Sequence, residues 1–447
     1  MRGALSHIGK LLRHLKASDQ TSSNTLFTAY GAILLYINLP YRVTSVLRSA
    51  KWERFIRLTW VYNCNWHNCQ IMNRKKSGVL MVEIKIGKYT ISEDSPCFVI
   101  AEIGHNHQGD LEIAKKMIVA AAENGAHAVK FQKRSNKNLF TNEMYNKPYE
   151  NENSYGKTYG LHREALEFDE SEYRELKKLA DEQGIVFFAT PFDFWSVDFL
   201  EKIGVPCYKI ASALITDIPL VEYIASKGKP IFLSTGGATI EDVDHAYKTI
   251  KKYNAPLCIM QCTAAYPQMD YKETHLNVLK TYKQRYPDAI LGLSSHDSGI
   301  MLPIAAYVLG SRVVEKHFTL NRAMRGTDHS YSLEPVGLRK MCRDLIRVYE
   351  AMGSSEKRPQ QSEINPILKM GKSIVAKKKI SKGTIITPEL VAFKSPGGGL
   401  QPYKVYDVLG RIAEKDLEPD ELISFDKLSK DFKQRFESVN WGNVYDK

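Results

Sequence analysis

The chain has 447 residues, enough for about three domains of roughly 150 residues, which favours one large domain with a smaller one. Its 43% hydrophobic and 25% charged content excludes a disordered, collagen-like or multi-span membrane chain. The net charge of +12 suits nucleic-acid binding, but residues 1–80 hold twelve Lys or Arg against two acidic residues. That segment carries +10 and leaves +2 for residues 81–447, so no basic footprint for DNA or RNA is expected there.

Residues 1–80 differ in composition from the remainder of the chain. We expect a basic N-terminal extension without an assigned function. It is either a mis-assigned start, since the pattern from Met81 onward resembles the start of a protein, or a disordered basic tail or weak surface anchor. The apolar run 26–39 is 14 residues long, too short for a spanning helix of about 20. Cys64 and Cys69 lack the second ligand pair of a zinc knuckle. Seven cysteines in all, an odd number, favour a cytoplasmic protein with reduced thiols. No membrane partner is expected.

From Phe98 onward, short apolar runs alternate with amphipathic helical stretches. A helix is predicted over residues 111–125, with Asp110 as N-cap and Gly125 as the stop. The predicted strands are 98–102, 128–132, 185–190, 207–212, 230–235, 258–263, 289–294 and 312–318. Eight such units over roughly 250 residues predict an α/β fold, a (β/α)8 TIM barrel over residues 81–352. An open doubly wound sheet is the rival, but the segment 104–109 lacks the glycine spacing of a nucleotide-binding turn.

The chain changes character after Tyr349. Residues 353–371 are polar with two prolines and predict a linker. Residues 372–430 predict a compact second domain of short strands, and 431–447 a polar, frayed tail.

Each predicted barrel strand ends in polar or ionisable residues, and this end of such barrels carries catalytic groups. The strand-end residues are Glu102, Lys130, Gln132, Thr190, Asp193, Lys209, Ser212, Ser234, Thr235, Gln261, Thr263, Ser294, His296, Glu315 and His317. Their convergence predicts an active site.

Lys130 and Lys209 supply cations for a doubly anionic substrate, and hydroxyls at 234, 235 and 294 suit phosphate oxygens. A Schiff-base lysine, or two lysines that merely pair with neighbouring acids, are the alternatives. His296 and His317 end consecutive strands, within reach of one Mn²⁺, Zn²⁺ or similar ion that polarises a carbonyl. Glu102 is the candidate acid or base.

The ordered motifs AEIGHNHQGD, VKFQ, FFATPFD, YKIAS, IFLSTGG, QCTAAYP, GLSSHD, EKHFTL and GTDHSYSLEP resemble the sialic acid synthase family. The segment SIVAKKKISKG…SPGGG resembles its C-terminal antifreeze-like (SAF) domain, a β-clip. Together the resemblance covers nearly all of residues 81–430.

The resemblance implies condensation of phosphoenolpyruvate with N-acetylmannosamine to give N-acetylneuraminate and phosphate. It further implies a divalent Mn²⁺ or Mg²⁺ cofactor on His296 and His317, with Glu102 handling the proton of the attacking water or the aldehyde oxygen. A domain-swapped homodimer is implied as well. The implied phosphoenolpyruvate-binding residues are Lys130, Lys209, Ser212, Ser234 and Ser294, and the implied sugar-binding residues are Gln132, Tyr266 and Asp328.

Three departures from the family pattern lie on the sugar side: Leu214 replaces an acid, Ala264 an Asn or Ser, and Ser395 an arginine. They leave open a modified acceptor sugar, as in legionaminate or pseudaminate synthesis, and a non-catalytic sugar- or anion-binding relative.

Overall fold

The structure is a computed structural model and describes residues 82–445. The predicted extension, with Cys64 and Cys69, lies outside them. The described chain divides into two compact units between Lys340 and Met341, and the domain limits predicted from the sequence stay predictions. No helix of residues 82–445 is long and apolar enough to cross a membrane, and the five cysteines within this range are free thiols.

The first unit opens with an antiparallel hairpin of β1 (Glu83–Ile86) and β2 (Tyr89–Ser92). Its alternating pattern buries Ile84, Ile86 and Ile91, as expected for a ribbon with one face on a core.

Eight parallel strands then close into a barrel in the order β10-β3-β4-β5-β6-β7-β8-β9, which confirms the predicted fold class. The strands are β3 (Phe98–Glu102), β4 (Ala128–Lys133), β5 (Val186–Pro191), β6 (Tyr208–Ile210), β7 (Ile231–Ser234), β8 (Leu257–Cys262), β9 (Ile290–Ser295) and β10 (Val313–His317). Each coincides with a predicted strand to within a few residues at its ends.

Helices and short helical turns connect the strands. They are α1 (Leu111–Glu123), α2 (Asn136–Leu139), α3 (Asn142–Asn146), α4 (Tyr159–Glu164), α5 (Glu170–Glu182), α6 (Phe194–Ile203), α7 (Ile218–Ala225), α8 (Ile240–Lys252), α9 (Val278–Arg285), α10 (Met301–Val308) and α11 (Pro335–Met352). The predicted N-cap of α1 is confirmed, because the Asp110 side chain accepts a hydrogen bond from the Ile113 N–H. The helix ends at Glu123, and Gly125 follows with φ +90°, a left-handed conformation that suits glycine.

Aromatic rings fill the barrel below its C-terminal rim. Phe98 stacks on Phe232 with ring centroids 6.2 Å apart, and Phe188 lies 5.6 Å from Phe232. Side chains alternate between the two faces of each strand. Glu102 on β3 and Ser234 on β7 therefore also point into the barrel, above these rings. Polar groups of the other strands lie at the same level. The aromatic rings fill the lower part of the barrel, so the polar groups lie at its rim.

The second unit holds two small antiparallel sheets, one of β11 (Ser373–Ala376) with β12 (Val391–Lys394) and one of β13 (Arg411–Ala413) with β14 (Leu428–Phe432). Two elements lie where the sequence predicted none: α12 (Ile364–Met370) within the predicted linker, and α13 (Trp441–Tyr445) in the predicted tail. The expectation of a frayed tail is wrong, because Phe436, Val439 and Trp441 pack against the buried cluster of this unit.

Candidate active site

Strand register brings the predicted acid/base residue beside its partners. Glu102 pairs with Lys130 on β4 and with His317 on β10 as neighbours across the sheet. Glu102 is 1% exposed, its Oε2 lies 2.7 Å from the Lys130 Nζ, and its Oε1 accepts a hydrogen bond from the Gln132 Nε2 at 2.7 Å. A carboxyl group in this setting is held in one orientation, facing the barrel axis.

A second carboxylate joins the two predicted lysines. The Glu315 Oε1 lies 3.7 Å from the Lys130 Nζ and 4.0 Å from the Lys209 Nζ, and it accepts a hydrogen bond from the Ser294 Oγ at 3.2 Å. The lysines therefore do pair with neighbouring acids, as the structural alternative predicted. All of these side chains are buried.

The two carboxyl groups differ in acidity. Burial raises the pKa of Glu102 to about 7, against the opposing charge of Lys130. Burial also opposes ionisation of Glu315, but the charges of Lys130 and Lys209 outweigh it and lower its pKa. Two acids whose environments separate their pKa values can take different roles: Glu315 stays ionised as a counter-ion, while Glu102 can exchange a proton near neutral pH. Burial lowers the pKa of Lys209.

The hydroxyl groups predicted to bind phosphate lie at the ends of β7 and β9 and in the turn after β6. The Ser212 Oγ accepts a hydrogen bond from the Gly236 N–H at 2.9 Å, and a Cβ at Gly236 would lie 2.9 Å from both Ser212 and Ala264. The loops after β6, β7 and β8 thus meet at Gly236, which only glycine permits. The Ser234 Oγ is buried and has no hydrogen-bond partner within residues 82–445. A buried hydroxyl without a partner is costly and suits a ligand oxygen.

The two predicted metal ligands face each other. Their ring centroids lie 5.4 Å apart. Burial lowers the pKa of His296 and brings that of His317 to about 3, so both imidazoles are neutral at pH 7. The His296 Nδ1 lies 2.8 Å from the Thr263 carbonyl oxygen, an acceptor, so this nitrogen carries the proton and Nε2 keeps a free lone pair.

Two neutral imidazoles fit a divalent cation. His296 has a fixed tautomer, and the buried His317 Nδ1 has no hydrogen-bond partner in the described chain, with the Asp328 Oδ2 3.6 Å away. Residues 82–445 contain no group of three or more His, Cys, Asp or Glu that could hold a metal ion. These two histidines would therefore leave the remaining coordination positions to water or substrate, as in open catalytic sites.

The predicted sugar-binding residues lie at the mouth of the site. A Cβ at Gly104 would lie 3.3 Å from the Glu102 Oε1, 3.5 Å from the Gln132 Nε2 and 3.6 Å from the Asp328 Oδ2. Gly104 has φ +55°, so a left-handed glycine lets these three groups converge. The Tyr266 ring, 56% exposed, lies with its centroid 4.1 Å from that of His296.

All of the predicted site residues converge on this rim, but sequence reasoning assigned no role to three contributors. Glu315 and Thr190 were both noted as strand-end residues only, although two buried lysines call for a counter-charge. The Thr190 Oγ1 accepts a hydrogen bond from the Lys130 Nζ at 2.9 Å. The buried Tyr331 ring lies 5.1 Å from that of His317, and only the distant motif GTDHSYSLEP signalled it.

Two arginines lie beside this mouth. The Arg134 Nη1 and Arg163 Nη1 lie 2.8 Å and 3.0 Å from the two ring nitrogens of His105. A neutral imidazole accepts only one hydrogen bond, so one guanidinium contact remains unsatisfied. Arg134 also donates to the Gln132 Oε1 at 2.5 Å, which links this cationic pair to Glu102.

The barrel places its lysines, hydroxyl groups and histidine pair at the C-terminal ends of the strands, where enzymes with this fold carry their active sites. Residues 117–357 match the NeuB family and residues 371–429 match the SAF domain. The chain belongs to the NeuB family of sialic acid synthases and carries an SAF domain.

Several curated and solved proteins resemble the chain. It is 39% identical to the N-acetylneuraminate-9-phosphate synthase of Homo sapiens over 77% of this chain and 96% of that protein. It is 37% identical to the N,N'-diacetyllegionaminic acid synthase of Campylobacter jejuni over 73% and 98%. The structure of N-acetylneuraminic acid synthetase from Leptospira borgpetersenii is 33% identical, with a TM-score of 0.57, over 64% of this chain and 96% of that one. The chain is thus an enzyme of the sialic acid synthase type.

Proposed function

We propose that this enzyme condenses phosphoenolpyruvate with the aldehyde form of N-acetylmannosamine and water, giving N-acetylneuraminate and phosphate. One observation carries the proposal: two buried lysines, an unpartnered serine hydroxyl and a carboxyl group of pKa about 7 converge beside two neutral histidines. This set matches a dianionic substrate, a proton transfer and a polarised carbonyl.

The residues have separate tasks in this reaction. Lys130 and Lys209 hold the carboxylate and phosphate of phosphoenolpyruvate, with the hydroxyls of Ser212, Ser234 and Ser294 as donors to the remaining oxygens. As C3 bonds to the aldehyde carbon, positive charge develops at C2, and Glu315 stabilises it within the buried rim.

Glu102 handles the proton. Water adds to C2 and loses a proton to the Glu102 carboxylate, which Lys130 at 2.7 Å stabilises. The proton then passes to the former aldehyde oxygen. In the C2 adduct the C2–O bond to phosphate breaks, the C2 hydroxyl proton leaves with the phosphate, and the keto group remains. Gln132, Tyr266 and Asp328 orient the sugar hydroxyls. His296 and His317 would hold Mn²⁺ or Mg²⁺, which when bound polarises the aldehyde carbonyl.

The first test is phosphate release by the full chain with phosphoenolpyruvate, Mn²⁺ and N-acetylmannosamine, with mass spectrometry of the product. We expect sugar-dependent release and a nine-carbon keto acid, and loss of both in the His296→Ala/His317→Ala variant. The exposed His245 on α8 supplies the matched control, His245→Ala, which should keep wild-type turnover. If the wild type releases no phosphate with any acceptor or metal, a non-catalytic binding protein is favoured instead.

Two observations favour other acceptors for the same chemistry. Leu214 is buried and cannot accept a hydrogen bond from a sugar hydroxyl, which favours a 2,4-diacetamido-6-deoxy hexose. Arg134 and Arg163 both approach His105, which can satisfy only one of them, and this favours an acceptor with a phosphate at C6, the carbon that becomes C9 of the product. Competition between the three acceptors decides, since kcat/KM compares them directly. An Arg163→Met variant should weaken only a phosphorylated acceptor.

We also propose a homodimer in which the SAF domain of one chain serves the barrel of the other. The family resemblance supports it.

A further inference from the structure

A buried ion pair lies beside the histidine pair on the other face of the same two strands. On β9 and the residues after it, Ser295 and Asp297 flank His296; on β10, Lys316 precedes His317. The Lys316 Nζ lies 2.8 Å from the Asp297 Oδ1 and 3.4 Å from the Ser295 Oγ, and it also donates to the Asp297 carbonyl oxygen. The side chains of Lys316 and Asp297 are each 1% exposed.

This network is saturated. The ammonium group has three hydrogens and three acceptors, while the Ser295 hydroxyl donates to the Asp297 Oδ1. Every acceptor of Lys316 belongs to a residue directly beside His296. The residues on both sides of His296 are thereby hydrogen-bonded to Lys316, the residue that precedes His317.

Stability alone does not account for such a pair. Desolvation of two charges offsets much of their attraction, and replacement of a buried pair by apolar residues is often neutral or stabilising. What the pair does supply is geometry: it joins the end of β9 to the end of β10 where the strand ladder between them ends, at Ser295 and Lys316.

We propose that Lys316 and Asp297 are positioning residues that hold His296 and His317 at the separation required to bind one divalent cation together. The inference rests on the proposed function for its biological use, but the cation binding it concerns can be measured without either substrate. Outer residues that orient metal ligands commonly change metal affinity by about 10- to 100-fold.

The test is titration of the metal-free full chain with Mn²⁺ alone, followed by calorimetry or electron paramagnetic resonance. In the double variant Lys316→Met/Asp297→Leu, which removes both charges together, we expect a folded protein whose Mn²⁺ Kd rises about tenfold or more. Lys316→Arg keeps the charge and should stay within about threefold of the wild type. The control Lys229→Met/Glu201→Leu removes another ion pair, 2.6 Å long, and should leave the Mn²⁺ Kd unchanged.

A folded double variant with wild-type Mn²⁺ affinity would overturn the inference. If the double variant does not fold, Asp297→Glu keeps the charge but lengthens the arm by one methylene. It should raise the Kd at least threefold, and an unchanged Kd again overturns the inference.

Failure of the proposed function gives a different result. Suppose that the wild type binds Mn²⁺ more tightly than the double variant and still makes no product with any acceptor. That result would contradict the proposed function and leave the positioning role intact. A wild type that forms product but binds no Mn²⁺ would overturn the positioning role alone. Excess Mn²⁺ should restore kcat in the double variant with an unchanged KM for phosphoenolpyruvate.

Discussion

Glu102 is the residue whose ionisation should govern the pH dependence of the reaction. Its pKa is raised from an ordinary 4.5 to about 7, chiefly by burial, so below pH 7 it is protonated and cannot take a proton from water. We therefore predict that kcat/KM rises with pH through about 7 and then levels. Glu102→Gln should lose about 10²- to 10⁴-fold in rate and lack this limb. A rate that falls through pH 7 in the wild type would assign Glu102 the acid role instead.

Substitution of Ser234 should weaken substrate binding without lowering the stability of the protein. Its buried hydroxyl has no partner in the described chain, so Ser234→Ala removes a desolvated polar atom without breaking a hydrogen bond. We expect an unchanged or higher Tm together with a KM for phosphoenolpyruvate raised by about tenfold. Ser311 is the control, since its Oγ is equally buried but donates to the Val313 carbonyl oxygen at 2.8 Å. Ser311→Ala should lower the Tm and leave that KM unchanged; the same outcome for both serines would contradict the phosphate role.

Most of the candidate site was predictable because its lysines, histidines, serines and Glu102 lie at or just after strand ends, which meet at one rim of a barrel. Tyr266 and Asp328 lie in loops after β8 and β10, and only the family resemblance indicated them. What sequence could not give was the pairing among them. That Glu315 neutralises both lysines, or that Lys316 faces away from the barrel interior toward Asp297, depends on side-chain direction and register between strands. Neither is visible in a single strand's pattern.

At the scale of elements, the eight barrel strands were predictable since β-branched and apolar runs of five to seven residues are bounded by polar ends. The missed elements are those with weak or mixed signals. The helix Ile364–Met370 contains Pro366 in a polar segment, which argues for a linker. Trp441 and its neighbours are too few for a periodic pattern, and their burial depends on contacts with residues distant in sequence.

The C-terminal segment should stabilise the second unit. Trp441 packs edge-on against Phe393 on β12, with centroids 5.0 Å apart. Trp441→Ala removes a large, partly buried ring, and we expect a loss of about 1–3 kcal/mol, below the cost for a fully buried aromatic. Hydrogen exchange of β11 and β12 in the full chain measures it. Trp195 on α6 is 57% exposed, so Trp195→Ala should leave that exchange unchanged; equal protection in both variants would contradict the packing role.

For the whole molecule, charge separates residues 1–80 from the remainder. Since that segment carries +10 of the +12, any binding to DNA through phosphate contacts would originate there and fall steeply with salt. We predict that a chain shortened to residues 81–447 retains phosphate release at the full rate and shows no DNA retention at low salt. Salt-dependent DNA binding by the shortened chain would place a basic surface in the body, contrary to its charge of +2.

The proposed homodimer makes a prediction that only two chains together can satisfy. Residues 81–353 should be inactive with the sugar if the SAF domain is required for turnover. Mixed with the full-length Glu102→Gln variant, which brings an intact SAF domain but a barrel unable to move the proton, this shortened chain should regain phosphate release. Neither chain is active alone, so any recovery must come from a barrel served by its partner's domain.

The measurement is sugar-dependent phosphate release against mixing ratio, with tagged co-purification to establish association. Full activity of residues 81–353 alone would remove the need for a second domain. Association of the two chains without recovery would mean that each SAF domain serves its own barrel.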